Sequence, residues 1–174
     1  MSKRSNNIGY PNEYACLDLH NDAELKEALT LLALVLDVSK ACINLFKHTI
    51  IWDHDKSEFS THKENEVIVP LPNSKSERIV INNLEKSPEL INESLKNYKF
   101  YASTPFIVDK RESIGVLYIL DTTAREFSSN DLKILEFFAN KLMGYFNFLR
   151  VVNRKNKILT QKNDQLIKLT QNIP

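Results

Sequence analysis

The fold of this chain is decided by residues 99–139, whose sequence is KFYASTPFIVDKRESIGVLYILDTTAREFSSNDLKILEFFA. Lys99–Val108 and Ser113–Leu120 are rich in β-branched and aromatic residues, which predicts two strands. The polar segment Asp109–Glu112 separates them and predicts the turn of a hairpin. Asp121 follows the second strand, where we expect its carboxylate to end the strand by bonding to the backbone beyond it.

A long C-terminal helix is predicted directly after this hairpin. Ser128 lies three residues before Asp131, which is the spacing of a capping box ahead of an apolar-periodic segment. From Leu149 onwards the spacing of one stripe alternates between three and four residues, as in a coiled coil. This seam consists of Leu149, Val152, Asn156, Leu159, Asn163, Leu166, Thr170 and Ile173.

The two Asn residues of the seam predict how the helix pairs. A buried Asn at a seam position favours a parallel two-stranded coil and fixes its register. We therefore expect residues 149–174 to be a coiled-coil linker that joins two copies of the chain into a homodimer. The alternative is a solvated helix tail whose periodicity arises by chance.

The stretch also resembles the closing part of a GAF domain. That family often shows Phe-Tyr-Ala-Gly-x-Pro-Leu, then Gly-x-Leu-Cys-x-x-Asp, and then Pro-Arg-x-Phe-Ser before its last helix. The matching residues here are Phe100, Tyr101, Ala102, Pro105, Gly115, Leu117, Asp121, Arg125, Phe127 and Ser128. The resemblance implies an α/β (α+β) fold, in which a central antiparallel sheet of five or six strands carries N- and C-terminal helices on one face.

The remaining elements are predicted from local patterns. Residues 1–11 are expected to be a flexible terminus, and residues 12–148 the folded domain. Glu13–His20 has the apolar spacing of a short helix, and Asn21 or Asp22 is expected to cap a longer helix that runs to about Leu36. Strands are predicted at Val38–Phe46, Thr49–Asp53, Glu66–Val69 and Arg78–Ile81. Between them we expect a turn at Lys47–His48 and a polar loop at His54–Lys63. Helical character is expected around Pro88–Leu95.

Composition limits the classes of function. The 23 Lys and Arg residues nearly balance the 22 Asp and Glu residues, so charge gives no argument for nucleic acid or an anionic membrane as partner. No segment approaches the roughly 20 apolar residues of a membrane span, and the N-terminus has no apolar signal-peptide region. Two cysteines suggest no disulfide framework, so the expected location is the cytoplasm.

Few residues offer catalytic chemistry. Cys16 and Cys42 are the possible thiol nucleophiles, and the GAF fold includes enzymes that reduce free methionine sulfoxide with cysteines. No obvious thiolate stabiliser lies nearby in the sequence, so we expect two inert thiols and no catalytic residue. The potential metal ligands fit no standard zinc spacing and are expected to be solvated, which predicts no metal site. They are His48, Asp53, His54, Asp55 and His62.

A ligand site is predicted from strand residues that combine an apolar body with a polar tip, with a purely structural core as the alternative. The candidates with this character are Trp52, Tyr101 and Tyr118, and the positions of the family motif add Ser103 and Asp121. The resembled family holds cyclic nucleotides, bilins, haem or small metabolites on the helix-free side of its sheet. Here Ser103 replaces the usual Gly and Tyr118 the usual Cys, while the bilin-attachment Cys and the Asn-Lys-Phe-Asp-Glu motif are absent. Bilin and cyclic nucleotide are therefore disfavoured, and the cofactor is left open.

The resemblance implies a sensory or regulatory domain of a cytoplasmic signalling protein, such as a histidine kinase or a diguanylate cyclase. Leu169–Pro174 resembles the start of a PAS domain, so we expect an output domain beyond this chain. One alternative is a ligand-free homodimerisation module, which the bulky Tyr118 favours. The other is a thiol-dependent enzyme similar to methionine sulfoxide reductase.

Overall fold

The computed structural model describes residues 10–20, 22–46, 48–63, 77–90, 95–108 and 112–171. Its helices are α1 (Tyr10–Ala15), α2 (Ala23–Leu36) and α3 (Ser129–Gln171), with short 3-10 helices at Leu84–Lys86 and Pro88–Leu90. Its strands are β1 (Lys40–Leu45), β2 (His48–Asp53), β3 (Glu58–Lys63), β4 (Ile79–Ile81), β5 (Phe100–Val108) and β6 (Glu112–Asp121). The chain divides into two compact units, one of Asp18–Met143 and one of Met1–Leu17 with Gly144–Pro174.

The six strands form one antiparallel sheet in the order β3-β2-β1-β6-β5-β4. The predicted hairpin is the pair β5 and β6, in which Phe100 lies opposite Asp121 and Val108 opposite Glu112. The residues of the hairpin turn before Glu112 lie outside the described part of the chain. The predicted fold class is therefore confirmed, as an α/β fold with a six-stranded antiparallel sheet and a long C-terminal helix.

Strand alternation gives the sheet two distinct faces. The pairing register places Cys42, Tyr101, Ser103 and Tyr118 on one of them, which we call the tyrosine face. The opposite face carries the neighbours of these residues along each strand, together with Trp52 and Phe59 of β2 and β3. Lys26 of α2 lies 5.6 Å from the centre of the Phe59 ring, so α2 covers this second face, the helix face.

Helix α2 forms because its sequence supplies both ends and an apolar stripe. The Asp22 carboxylate accepts a hydrogen bond from the Leu25 backbone N–H at 3.0 Å, which caps the start. Asp37 takes a left-handed conformation with φ 51° and ends the helix after Leu36, as predicted. The residues buried by this helix are Leu25, Leu29, Leu32, Ala33 and Leu36.

An apolar core covers the tyrosine face. Leu84 and Leu95, from the connection between β4 and β5, are fully buried there. The Leu84 backbone N–H donates to the Lys99 carbonyl at 2.7 Å and holds this connection against the start of β5. The rest of the core comes from the sheet and from Tyr98, and consists of Cys42, Tyr101, Val116, Tyr118 and Leu120 with half-buried Ile51, Ile79, Ile81 and Tyr98 around them.

Helix α3 begins with the predicted capping box. The Asp131 backbone N–H donates to Ser128 Oγ at 3.1 Å, and the Ser128 backbone N–H donates to Asp131 Oδ2 at 2.9 Å. Leu135, Ala139 and Leu142 are buried in the first half of the helix. Every residue of 153–171 is exposed, and coiled-coil pairing of this part stays a prediction.

Some predicted elements were wrong. His54–Lys63 is not a polar loop throughout, because Glu58–Lys63 forms the edge strand β3. An edge strand with one open side needs few apolar residues, and here Phe59 is the one that packs, at 4.5 Å from Trp52 between ring centres.

The other errors concern boundaries. Phe46 has φ 52° and leaves β1, while His48 belongs to β2 and not to the turn. The first helix ends at Ala15, so Cys16 follows it instead of lying on it. The predicted strand Glu66–Val69 lies outside the described residues.

Candidate functional site

Two tyrosines occupy the centre of the tyrosine face. The rings of Tyr101 and Tyr118 are stacked, with 6.0 Å between their centres and 27° between their planes, and both side chains are fully buried. Ser103 lies directly opposite Tyr118 on β5, and Cys42 lies directly opposite it on β1. The antiparallel register therefore brings a phenol pair, a hydroxyl and a thiol together in the middle of an apolar core.

Two of these polar groups are buried without a hydrogen-bond partner among the described residues. The hydroxyls of Tyr118 and Ser103 make no hydrogen bond of normal geometry with any residue that the structure describes. The Cys42 thiol beside Tyr118 is only a weak hydrogen-bonding group. Leaving a buried hydroxyl unpaired costs about 1–3 kcal/mol, so both groups gain from any partner that brings a donor or an acceptor.

Burial keeps the centre of the tyrosine face uncharged. Burial raises the pKa of the Cys42 thiol to about 12, and the neighbouring Tyr118 hydroxyl opposes this only in part. Burial also raises the pKa of Tyr118 and of Tyr101 well above the ordinary value of 10.0. All three groups are therefore protonated and neutral near pH 7, and Cys42 lacks the thiolate that a nucleophile requires.

An ion pair lies at one end of the tyrosine face. Lys40, two residues before Cys42, pairs with Asp53 at 3.0 Å and lies 5.5 Å from the centre of the Tyr98 ring. Burial alone would lower the pKa of Lys40, but its hydrogen bonds to Tyr98 and Asp53 outweigh this and raise it. Burial alone would raise the pKa of Asp53, but Lys40 outweighs this and lowers it. The charge of Lys40 is therefore balanced within the protein.

The structure brings together three of the five predicted ligand residues, namely Tyr101, Ser103 and Tyr118. Trp52 lies on the opposite face of the sheet, where its ring packs on Phe59. Its indole N–H is buried without a hydrogen-bond partner among the described residues. Trp52 and Tyr118 therefore cannot line the same cavity.

Asp121 has a different environment at the end of β6. One of its carboxylate oxygens accepts from the backbone N–H and the hydroxyl of Thr123, both at 3.0 Å. The other accepts from Arg125 at 3.1 Å, and Arg125 also donates to the Asp37 carbonyl at 2.8 Å. Asp121 thus orders the turn, as its sequence position predicts, and Arg125 ties this turn to the end of α2.

A polar cleft of about 320 Å³ opens beside this turn. The residues that line it come from the end of α2, the end of β2 and the turn after β6, and are Asp37, Val38, Ser39, His54, Asp55, Asp121, Thr123 and Arg125. Its buried carboxylate, Asp121, is already bonded within the protein. The cleft therefore lacks the unsatisfied groups found on the tyrosine face.

The neighbours of Cys42 and Lys40 across the sheet were not predicted from the sequence. Cys42 was weighed only as a thiol nucleophile, although its alternation with Ala41 and Ile43 places it on one face with Lys40. What the sequence lacked was the register between strands, which pairs Cys42 with Tyr118 and Lys40 with Asp53. Alternation alone would have grouped Lys40 with Cys42.

The family model for the GAF domain matches residues 20–144, which is most of the chain and includes the whole described sheet. The chain belongs to the GAF domain family. No curated protein matches this GAF domain in sequence. Its similarity to solved structures, below, shows the fold that the sequence resemblance implied.

Several solved structures are similar to this GAF domain. The GAF domain of a phosphoenolpyruvate-protein phosphotransferase from Acinetobacter is 17% identical with a TM-score of 0.57, over 82% of this chain and 90% of that one. A domain of a putative two-component sensor histidine kinase protein from Sinorhizobium meliloti 1021 is 15% identical with a TM-score of 0.58, over 78% and 98%. A type II free methionine-R-sulfoxide reductase from Thermoplasma acidophilum is 14% identical with a TM-score of 0.52, over 71% and 89%.

Two further observations concern only the described part of the GAF domain. No cluster of three His, Cys, Asp or Glu side chains there is arranged to hold a metal ion. None of the helices in the described ranges has the length and apolar character needed to cross a membrane.

Proposed function

We propose that this GAF domain is a sensory or regulatory domain of a cytoplasmic signal-transduction protein. It binds a small uncharged molecule on the tyrosine face and passes the signal through a paired α3 to an output domain outside this chain. The observation that carries the proposal is the pair of buried, unsatisfied hydroxyls of Tyr118 and Ser103. Family membership supports a sensory role, and the similar Sinorhizobium domain comes from a sensor histidine kinase protein.

The chemistry of the tyrosine face supports an uncharged ligand. Cys42, Tyr101 and Tyr118 are neutral there, and burying a charged ligand among neutral groups is strongly unfavourable. Lys40 is already paired with Asp53 and does not offer a free cation to a phosphate. A small molecule with an apolar body and two hydrogen-bonding groups fits this environment, whereas a bilin or a cyclic nucleotide does not.

The route to the output domain is α3. It is one uninterrupted helix over Ser129–Gln171, and its exposed part carries the predicted seam of Leu, Val and Asn. A ligand that binds one arrangement of the sheet better than another would shift the population of helix arrangements by its difference in affinity. A parallel dimer of α3 would pass that shift on. Histidine kinase and diguanylate cyclase are the output types that we favour.

A thermal-shift screen with uncharged metabolites tests the ligand. We expect at least one compound to raise the melting temperature of the wild-type chain, and Tyr118→Phe and Ser103→Ala to reduce that shift. Tyr145→Phe, which removes a phenol hydroxyl from α3, serves as the matched control and should keep the full shift. A shift that survives both Tyr118→Phe and Ser103→Ala would place the ligand elsewhere.

A second candidate is a ligand-free homodimerisation module. The observation in its favour is that the stacked rings of Tyr101 and Tyr118 themselves fill the centre of the tyrosine face. This function predicts no thermal shift with any compound, together with a dimer in sedimentation. A specific ligand would exclude it.

We also propose that the chain is not an enzyme. The Thermoplasma neighbour shows that the fold accommodates a reductase, but Cys42 here is fully buried with a raised pKa. Incubation with free methionine sulfoxide and a thiol reductant should yield no methionine. Activity that is lost in Cys42→Ser or Cys16→Ser would overturn this.

A further inference from the structure

We propose that a second copy of the chain packs its α3 on a side of α3 that α1 leaves uncovered, and that this contact begins at Gly144 and Phe148. The inference rests on the homodimer of the proposed function and says which surface forms it. It differs from the sequence prediction, in which the seam starts at Leu149.

One side of this part of α3 is already occupied by α1. The Tyr14 hydroxyl donates a hydrogen bond to the Asn147 side chain. The Arg150 guanidinium lies 3.3 Å from the Glu13 carboxylate and 5.3 Å from the centre of the Tyr14 ring. A partner helix must therefore approach from a side other than the one that carries Asn147 and Arg150.

The opposite side is apolar and exposed. An α-helix turns by about 100° per residue. Measured from the mean direction of Asn147 and Arg150, four apolar side chains therefore point roughly 130° or more away, namely Phe148, Val152, Leu159 and Leu166. Phe148 is 60% exposed, Leu159 64% and Leu166 60%. Side chains of this size on one stripe lose unfavourable contact with water when a second apolar helix covers them.

The Asn residues along this stripe indicate that the covering helix is a second copy. Asn156 and Asn163 lie seven residues apart and flank Leu159. A seam amide is satisfied by another amide at the same level of the opposite helix, which fixes a parallel register. A second copy in parallel register supplies that amide at both levels. An unrelated apolar helix does not.

Gly144 supplies an independent argument for close packing at the start of the contact. It lies inside a 43-residue helix, where Gly is the least favourable residue apart from Pro. A Cβ placed on Gly144 would meet no atom within 4 Å, so nothing in the described chain requires the absence of a side chain. A partner helix that crosses closely at Gly144 does require it. Phe148, one turn later, then lies beside the crossing point.

This arrangement changes the geometry of the predicted coil at its N-terminal end. From Gly144 through Phe148 and Val152 to Asn156 the contact advances by three successive steps of four residues, whereas a heptad alternates three and four. An extra four-residue step unwinds a coiled coil locally. The coil would thus be nearly straight next to α1 and supercoiled beyond Asn156.

Sedimentation equilibrium of the full chain tests this surface, because it shows whether Gly144→Ala raises or lowers the Kd of the dimer. If the partner packs at Gly144, Gly144→Ala weakens the dimer by roughly tenfold in Kd, as does Phe148→Ala. Asn153→Ala is the control, because Asn153 points to the opposite side of α3 from Gly144 and also gains helix propensity. It should leave Kd unchanged. A second matched pair is Leu159→Ala, expected to weaken the dimer, against its exposed neighbour Ile158→Ala, expected not to.

The outcomes separate this inference from the proposed function. A wild-type chain that stays monomeric at every concentration removes both the dimer and this surface. A dimer that is tightened or unchanged by Gly144→Ala and unaffected by Phe148→Ala overturns the surface and leaves the proposed dimer intact. A dimer weakened by both, with Asn153→Ala unchanged, supports the surface.

Discussion

The tyrosine face and the C-terminal half of α3 break the usual rule of burial in opposite directions. The tyrosine face buries polar hydroxyls, those of Tyr118 and Ser103, inside an apolar core. The C-terminal half of α3 exposes large apolar side chains, among them Leu159 and Leu166. A buried polar group and an exposed apolar stripe are the informative exceptions in a folded chain. The proposed ligand would pair the hydroxyls of the first region, and the proposed second helix would cover the apolar stripe of the second.

The largest expected effect comes from making the same substitution in the sheet and in α3. Gly115→Ala in β6 places a Cβ 2.2 Å from the Asn44 carbonyl oxygen, which forces β1 and β6 apart. We expect it to lower the free energy of unfolding by about 3 kcal/mol. Gly144→Ala, in open space, should leave the unfolding free energy of the monomer unchanged or raise it.

Urea denaturation of both variants at low protein concentration checks this contrast. Equal losses of stability in the two glycine variants would contradict it, since they would mean that Gly144 is as confined within one chain as Gly115.

Alkaline pH is expected to weaken the sheet region and not the helical tail. The Cys42 thiol ionises near its ordinary value of 9.0 in the unfolded chain but only near 12 in the folded chain. Between these values the unfolded state has released a proton that the folded state keeps. Stability therefore falls as pH rises from about 9, by on the order of 2 kcal/mol at pH 11.

The pH profile of urea midpoints measures this loss. Cys42→Ala should make the profile between pH 9 and 11 less steep without flattening it, because Tyr101 and Tyr118 also keep a proton in the folded chain that they release when unfolded. Cys16→Ala, whose thiol is exposed, should leave the slope unchanged. An unchanged slope in Cys42→Ala would assign the loss to other groups.

A smaller effect is expected from removing one hydroxyl of the tyrosine face. Tyr118→Phe keeps the stacked ring and deletes a buried oxygen that has no partner in the described chain. Without ligand we expect stability to rise by about 1 kcal/mol, because the desolvation cost of the hydroxyl disappears. Thermal unfolding of the ligand-free variant measures it. A destabilised Tyr118→Phe would mean that the hydroxyl is already satisfied.

The smallest effect concerns charge on α3. From Arg150 to Lys168 there are six basic side chains and one acidic side chain, so the two parallel copies of the proposed dimer would repel each other. Salt screens this repulsion over a Debye length of about 10 Å at 0.1 M, and we expect Kd of the dimer to fall a few-fold as salt rises. Sedimentation in a salt series measures it, and Lys155→Gln with Lys162→Gln should reduce the dependence. Dissociation at high salt would contradict the prediction.

The sequence predicted the elements whose signals are local. The hairpin, α2 and the Ser128–Asp131 capping box depend on neighbours within a few residues, and each is present. Of the two caps that the sequence allowed for α2, Asn21 and Asp22, the structure uses Asp22. β3 was missed because its stability comes from pairing with β2 and from the contact of Phe59 with Trp52. A polar strand of this kind has no pattern of its own to recognise.

The candidate site was predicted only in part for a related reason. Tyr101, Ser103 and Tyr118 were named from residue type, and the structure places them together. Trp52 was named for the same reason but faces α2, because the face of a strand residue depends on the register between strands. Register is a property of the assembled sheet, so residue type alone could not separate Trp52 from the others.

The difference in exposure between the two cysteines offers a way to measure how often the tyrosine face opens. Cys16 is exposed and should react with an alkylating reagent at once, whereas Cys42 is buried in the same core as Leu84 and Leu95 and should react only when that core opens. The labelling rate of Cys42 divided by that of Cys16 therefore measures how often the tyrosine face opens to solvent. A compound that binds there would slow the second reaction and leave the first unchanged.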